Sequence, residues 1–505
     1  FQTIVENIDS DRHELEVINF NEEDFDPVLR YGYRKRMEED SFILRSQELI
    51  QWADHLIFVY PIWWSSMPSF ALPILLSNIF QQLYNTADIL IVGRFLGQNS
   101  LAAVGATTAI FDLIIGFALG VGNGMGVVIA RLYGARNFTK IKEAVAATWI
   151  LGAILSGLVM LMGFFGLYPL LQYLETPIEI LPQSYEYISM IVSCVGVSFA
   201  YNLFAGLLRS IGDSLAALAF LIFSAIVNVI LDLYFITQLQ LGVQSAGLAT
   251  IISQGLSAIL CYFYIRKSVP ELLPELKHFK WNKVLYIDLL EQGLAMGLMG
   301  SIVSVGSVIL QSSVNGFGAV IISAQTAARR IMAFALLPMT AISASMTTFI
   351  SQNFGAKRPD RIVQGLRLGS YLSMAWATFA CVFLFFASPS LVSFLASSTD
   401  GYLIENGTLY LRISSVFYPF LSLLLIYRNS LQGLGQKLLP LISSFIEFIG
   451  KIVFVAWIIP WAGYTGVILC EPLLWLVMTA QLYISLSQHP WIKEGKKILA
   501  VGGQS

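Results

Sequence analysis

The chain has 505 residues, of which 56% are hydrophobic and 12% charged, so it is too apolar for a soluble globular protein of this length. Its net charge of -2 conceals an uneven distribution, because acidic residues outnumber basic ones in the first seventy residues and the reverse holds afterwards. The four cysteines lie in apolar runs without paired spacing or a neighbouring histidine, which excludes a disulfide framework and a zinc site. We therefore expect an integral membrane protein preceded by a segment of different character.

The first seventy residues form that segment. Residues 14–20 alternate like a strand, residues 41–52 have an amphipathic helical pattern, and residues 55–60 read as a buried strand. This β-α-β rhythm predicts a partial α/β fold. Because the first residue is Phe1 and no signal peptide is visible, we expect the sequence to begin partway through a gene product.

Two stretches of this segment, Phe-Asp-Pro-Val-Leu at 25–29 and the run at 53–68 with its Pro-Ile-Trp-Trp, resemble flavodoxin-like NAD(P)H:quinone oxidoreductases. The resemblance implies that Pro61, Trp63 and Trp64 derive from a loop that packs on the flavin. The first strand, its phosphate-binding turn and the later strands of that fold are missing, so the sheet lacks core and the flavin lacks its phosphate anchor. We expect an inactive fragment that binds flavin weakly or not at all, joined to the rest by a fusion of adjacent genes or by sequence misassembly. An alternative place for the tryptophans is the membrane headgroup layer.

Beyond this segment, apolar runs of spanning length predict an all-α membrane protein of twelve transmembrane helices, six per half. The runs begin near Ala71, Leu101, Ile141, Tyr185, Leu215, Val243, Tyr286, Val320, Leu366, Thr408, Leu438 and Gly463. The predicted domains are a fragment at 1–70, bundles at 71–275 and 276–489, and a cytoplasmic tail at 490–505. The runs at 101–130 and 320–350 exceed a simple span and contain Gly or Pro, which predicts tilt or kinking.

Basic residues concentrate in alternate loops. These residues are Arg131, Arg136, Lys140, Lys142, Arg266, Lys267, Lys277, Lys280, Lys283, Lys357, Arg358, Arg361, Arg367, Arg428, Lys437, Lys493, Lys496 and Lys497. Because Lys and Arg are held on the cytoplasmic side during insertion, we predict a multi-pass protein of the cell (inner) membrane with both termini in the cytoplasm. Their alternation with spans, instead of a single basic patch, argues against nucleic acid as a partner.

Two acids lie inside predicted spans of the first half at one depth. At about 1.5 Å per residue, Asp88 and Asp232 each lie about 10 Å below the outer surface. Asn228 shares a helix face with Asp232, and Thr250 returns to the same depth. A charge at this depth needs a reason, and these oxygens predict a site that holds Na⁺ or shares a proton. The alternative is that each Asp only hydrogen-bonds the backbone of a kinked helix.

The second half also carries charges inside predicted spans. Glu447 precedes Lys451 by one helical turn, which predicts a neutralising pair, with a role in the substrate cavity as an equal alternative. Arg329 and its neighbour Arg330 must face protein or water instead of lipid. Aromatic residues, Tyr84, Phe111 and Tyr201 among them, are candidates for binding flat cations, although a lipid-facing position or core packing is the better explanation for any single one.

These residues lie in stretches that resemble one family. Leu72-Pro73, Gln-Gln-Leu-Tyr-Asn-Thr-Ala-Asp at 81–88, Asn-Val-Ile-Leu-Asp at 228–232 and Leu-Arg-Ser-Ile-Gly at 208–212 look like the multidrug and toxic compound extrusion (MATE) family. The resemblance runs from about Ala71 to His489. It implies two six-helix bundles around a central cavity, and cation-coupled export of organic cations and other amphipathic compounds by a monomer in the lipid bilayer.

The resemblance also implies roles for single residues. It makes the cation site of the first bundle out of Asp88, Asn228, Asp232 and Thr250. If transport is sodium-coupled, these four residues are the ligands of Na⁺. In the second bundle, the candidates for a role in ion binding or in the substrate cavity are Glu447, Lys451 and Arg329. The resemblance leaves open whether the coupling ion is sodium or a proton. The rival functions are a lipid-linked oligosaccharide flippase, which would need a strongly cationic cavity, and a flavin-dependent oxidoreductase activity of the N-terminal fragment.

The hydrophobic part of the chain contains an internal sequence repeat. The stretch from Gly97 to Gly134 returns with the same spacing from Gly318 to Gly355. Matched halves predict a transporter whose site faces each side in turn. The acids do not repeat, because Asp88 aligns with Ile309 and Asp232 with Val455. We therefore predict that the coupling ion binds in the first half.

Overall fold

A computed structural model of the protein describes residues 62–173, 176–396 and 400–502. Within these ranges all regular structure is helical and no strand occurs. The predicted β-α-β pattern and Pro61 lie outside the described residues, as do the side chains of Trp63 and Trp64, whose backbone belongs to the first helix.

The first half consists of seven helices. They are α1 (Ile62–Phe95), α2 (Gln98–Gly134), α3 (Phe138–Tyr173), α4 (Leu181–Ser193), α5 (Val195–Ile211), α6 (Ser214–Thr237) and α7 (Gln244–Ser268). Short 3₁₀ turns, Pro270–Leu272 and Leu276–His278, lead into the second half.

The second half repeats this order. Its helices are α8 (Lys283–Asn315), α9 (Ala319–Gly355), α10 (Pro359–Ala396), α11 (Gly401–Val416), α12 (Tyr418–Gly433), α13 (Leu438–Val453), α14 (Ile459–Ala462) and α15 (Tyr464–Gln488). A π-helical segment, Phe454–Ile458, joins α13 to α14, and α16 (Pro490–Gly502) follows at the C-terminus.

The helices confirm a multi-span membrane protein. In the described ranges nine helices are long and apolar enough to cross a membrane, and up to eleven spans result when each bent pair counts as one. The remaining predicted span corresponds to α1, which is 34 residues long but carries the polar run from Gln81 to Asp88. Helices α3 and α10 expose large apolar side chains such as Phe164 and Phe386, as lipid-facing helices do.

Two sharp bends occur at positions that the sequence did not mark. Helices α2 and α9 are continuous over 37 residues each, even though α9 contains Pro338. The chain bends instead by 51° between α4 and α5, at Cys194, and by 53° between α11 and α12, at Phe417. At both breaks the backbone N–H, of Cys194 and of Phe417, donates to the carbonyl three residues earlier, as in a 3₁₀ turn. Pro419, two residues after Phe417, has no N–H to donate to an α-helical hydrogen bond.

The sequence repeat is also a backbone repeat. Gly97 and Gly318 precede α2 and α9 with φ of 86° and 88°, a conformation that glycine adopts without a steric penalty. Arg136 and Lys357 follow the same helices with φ of 53° and 55°. The two halves therefore share turn geometry as well as helix order.

The halves meet along two close helix crossings. Glycines on α2 pack against the backbone of α8, and a Cβ at Gly120 would lie 2.7 Å from the Cα of Gly297. At the end of α2, Gly134 lies against the carbonyl of Gln352 on α9, and Gly355 lies against the carbonyl of Arg131 in return. This reciprocal contact leaves no space for a side chain at either glycine.

Candidate functional site

The structure brings the four predicted cation-site residues together from three helices. Asp88 comes from α1, Asn228 and Asp232 from α6, and Thr250 from α7. The Asn228 side-chain amide donates to Thr250 Oγ1 over 3.3 Å, and the carboxyl groups of Asp88 and Asp232 lie close enough to interact with each other. Asn228 and Asp232 are 0% exposed and Thr250 is buried, whereas Asp88 is half-buried.

The oxygen atoms of this cluster lack hydrogen donors. No N–H or O–H group in the part of the chain that the structure describes reaches either oxygen of Asp232, Oδ1 of Asp88 or Oδ1 of Asn228. Two carboxylates cannot share a hydrogen bond unless one of them carries a proton. A cation between the oxygens satisfies the same atoms, because Na⁺, like other hard cations, takes oxygen ligands. The donor set therefore fits a proton or a hard monovalent cation.

Tyr84 joins this cluster, although the sequence marked it only as one aromatic among several. Its hydroxyl lies 3.0 Å from Thr250 Oγ1, and it stands one turn before Asp88 on α1. Thr250 also donates to the carbonyl of Ala246 over 3.0 Å. The i, i+4 spacing of Tyr84 and Asp88 is the signal that would have placed the phenol beside the acids.

A cavity of about 480 Å³ lies between the halves, next to the acid cluster. Tyr84 and Thr250 line its wall, whereas Asp88, Asn228 and Asp232 lie behind them. The second half contributes wall residues from α8, α9 and α12, namely Met296, Ala344, Thr347, Thr348 and Asn429. The Tyr84–Thr250 contact is therefore the boundary between the acids and the space that a substrate would occupy.

The charges of the second half form a paired network instead. Glu447 accepts from Lys451 over 2.9 Å, which is the predicted intrahelical pair. Glu471 bridges Arg329 over 3.0 Å and Lys451 over 3.4 Å, and Arg428 lies 3.9 Å from Glu447. None of these five residues lines the cavity in this conformation, so their contacts account for their burial without a substrate.

Ion pairs close the side of the molecule where the basic loops lie. Asp288 on α8 pairs with Arg131 on α2 and with Lys437 before α13, the latter over 2.8 Å. Lys437 also bonds Glu291 over 2.7 Å. The Gln352 side chain donates to the carbonyl of Ser210 over 2.8 Å, which links α9 to α5. Together with the glycine crossing, these bonds join the two halves on this side of the molecule.

Comparisons with known proteins agree with this architecture. The MatE family model matches residues 73–234 and 295–457, and a flavodoxin-like fold model matches residues 1–71. The chain is 26% identical over 426 residues to the probable multidrug resistance protein YoeA of Bacillus subtilis, with 80% of this chain and 90% of that protein covered. It is 25% identical over 418 residues to a FAD transporter of Shewanella oneidensis, with 79% and 89% covered.

The solved structures support the fold. A crystal structure of a MATE protein in its bent conformation superposes with a TM-score of 0.78 at 21% identity. The match covers 86% of this chain and 98% of that one.

Proposed function

Because the chain belongs to the MATE family, we propose that it is a secondary active antiporter that exports amphipathic organic compounds in exchange for Na⁺ or H⁺. Family membership makes it a membrane transporter, and the coupling, the substrate and the site are the proposal. The transport unit that we propose is a monomer. The bundles span 71–275 and 276–489, and both termini face the cytoplasm.

The observation that carries the proposal is the proximity of the Asp88 and Asp232 carboxyl groups on two different helices of the first half, where neither oxygen of Asp232 has a hydrogen-bond partner among the described residues. Without a proton or a cation the two carboxylates repel each other in a low dielectric, and α1 is driven away from α6. A bound ion removes that repulsion. The ion thus favours one position of α1, which is the differential affinity that coupling requires.

The Tyr84–Thr250 contact connects the pair of acids, Asp88 and Asp232, to the cavity where the substrate binds. Tyr84 sits on α1 between the acids and the cavity, and its hydroxyl bonds α7. A movement of α1 relative to α6 and α7 breaks this contact and changes the wall of the cavity. Ion binding at the acids and substrate binding in the cavity therefore both affect the position of the Tyr84 side chain, which lies between them.

The test is transport by purified protein in liposomes under an imposed Na⁺ or pH gradient. Asp88→Asn and Asp232→Asn remove one charge each without a change in size, and we expect gradient-driven accumulation of substrate to fall about tenfold or more. Glu186→Gln is the matched control, since Glu186 is an exposed carboxylate on α4. Unchanged accumulation in both Asp variants would defeat the site, and the gradient that drives the wild type identifies the ion.

The rival functions have their own tests. A lipid-linked oligosaccharide flippase requires a strongly cationic cavity, and gradient-independent lipid flipping by the purified protein would support it. The N-terminal fragment resembles an oxidoreductase, and we propose that it is inactive. Yellow flavin absorbance that remains with the protein through purification would contradict that view.

A further inference from the structure

The wall of the central cavity carries a cation. Among the residues whose side chains the structure describes, Arg209 is the only charged one that lines this cavity. It lies in the last turn of α5, next to the Ser210 carbonyl that anchors Gln352 of the other half. Arg209 therefore lines the cavity beside a hydrogen bond that links the two halves.

Arg209 has no carboxylate partner among the described residues, and its one side-chain hydrogen bond runs to Asn123 Oδ1 over 3.3 Å. The nearest acid in sequence, Asp213, is occupied elsewhere. Its carboxylate caps α6 at the amide of Ala216 and accepts from the Tyr264 hydroxyl over 2.7 Å. Arg209 is thus unlike Arg131 and Arg329, each of which bonds a carboxylate.

An unpaired guanidinium beside an apolar cavity is an anion-binding group. It presents five N–H donors in a planar fork that matches a carboxylate or a phosphate. Here one donor direction is used by Asn123, and the others have no acid to satisfy them. The rest of the wall is largely apolar or aromatic, with Ile74, Phe111, Leu119 and Tyr201 along it.

We infer that the cavity binds amphipathic organic anions, with a carboxylate or phosphate group held by Arg209 and the apolar body against the aromatic and aliphatic wall. This inference rests on the proposed export function and narrows its substrate class. It reverses the charge expected from the family resemblance, because the acids of the first half lie behind Tyr84 instead of on the wall.

The first experiment measures equilibrium binding of carboxyfluorescein and of ethidium to the detergent-solubilised full chain by fluorescence anisotropy. We expect the wild type to prefer carboxyfluorescein. Arg209→Gln should weaken its binding about tenfold to a hundredfold, as loss of a charged hydrogen bond does, and should leave ethidium unaffected. Arg209→Lys keeps the charge without the fork and should fall between the two. Lys140→Gln removes an exposed cation outside the cavity and should change neither affinity.

Acetate and inorganic phosphate, added as competitors at matched ionic strength, distinguish a carboxylate site from a phosphate site. The inference is overturned if the wild type prefers ethidium, or if the Gln variant binds carboxyfluorescein as the wild type does. If the Gln variant fails to fold, an unchanged carboxyfluorescein affinity in the folded Lys variant overturns the inference equally. Binding needs no gradient, so Arg209-dependent binding without gradient-driven transport would contradict the antiporter and leave the anion site standing.

Discussion

The two halves of the molecule share a backbone and differ in how they treat buried charge. In the first half, Asp88 and Asp232 face each other with no basic residue between them. In the second half, Glu447 and Glu471 are held by Lys451 and Arg329. An unneutralised pair responds to an ion, whereas a neutralised network resists change. The two halves thus share one backbone arrangement and differ in a few side chains, and we propose that this difference makes the first half the one that responds to the ion.

The largest expected effect comes from removal of a carboxylate from the neutralised network. Glu471→Gln leaves Arg329 and Lys451 without a buried counter-charge, and we expect a loss of about 3–5 kcal/mol in unfolding free energy. Thermal unfolding in detergent measures it.

Asp232→Asn is the matched substitution in the first half, and it relieves repulsion instead of breaking a pair. We expect it to keep or raise the unfolding temperature while it impairs coupling. Equal destabilisation by the two substitutions would remove the proposed distinction between the halves.

A smaller effect tests the symmetry of the frame itself. Gly134→Ala and Gly355→Ala each place a methyl group against a backbone carbonyl of the other half, and overpacking of this kind costs about 1–3 kcal/mol. Since the two contacts are equivalent in the repeat, the two losses should be similar. Gly157→Ala is the control, because a Cβ there meets nothing within 4 Å. Unfolding temperatures that differ widely between the first two variants would show that the crossing is not reciprocal.

The smallest effect concerns the segment between the halves. Side-chain hydrogen bonds from Lys277 and then Lys142 lower the pKa of Glu275 from its ordinary value of 4.5. A lowered carboxyl pKa stabilises the folded state above the ordinary value, and that contribution is lost as the pH falls through the lowered one. Because Glu275 is on the surface, Glu275→Gln should reduce the unfolding temperature only slightly at pH 7 in low salt.

The difference between the Glu275→Gln variant and the wild type should vanish below the ordinary carboxyl range and in high salt. A large difference that persists in salt would mean that this segment holds the halves together more strongly than its exposed ion pairs allow.

Much of the helical fold was predictable because it depends on patterns within short segments of the sequence. Span length, the basic loops and the repeat predicted the helices, and the Glu447–Lys451 pair followed from a spacing of one turn. The common depth of Asp88 and Asp232 in their helices predicted that the two residues lie near each other. The bends at Cys194 and Phe417 were not predicted, because Pro338 was the stronger local signal and α9 accommodates it.

The amino-acid sequence alone predicted the membrane-spanning helices and the common depth of the two acids, since hydropathy and helical rise are properties of each segment. Only the tertiary structure decided which charges meet. Glu471 reaches Arg329 across 142 residues, Tyr84 reaches Thr250 across 166, and Arg209 is left facing the cavity because Asp213 bonds Tyr264. These contacts depend on the packing of one helix against another, which no local pattern records.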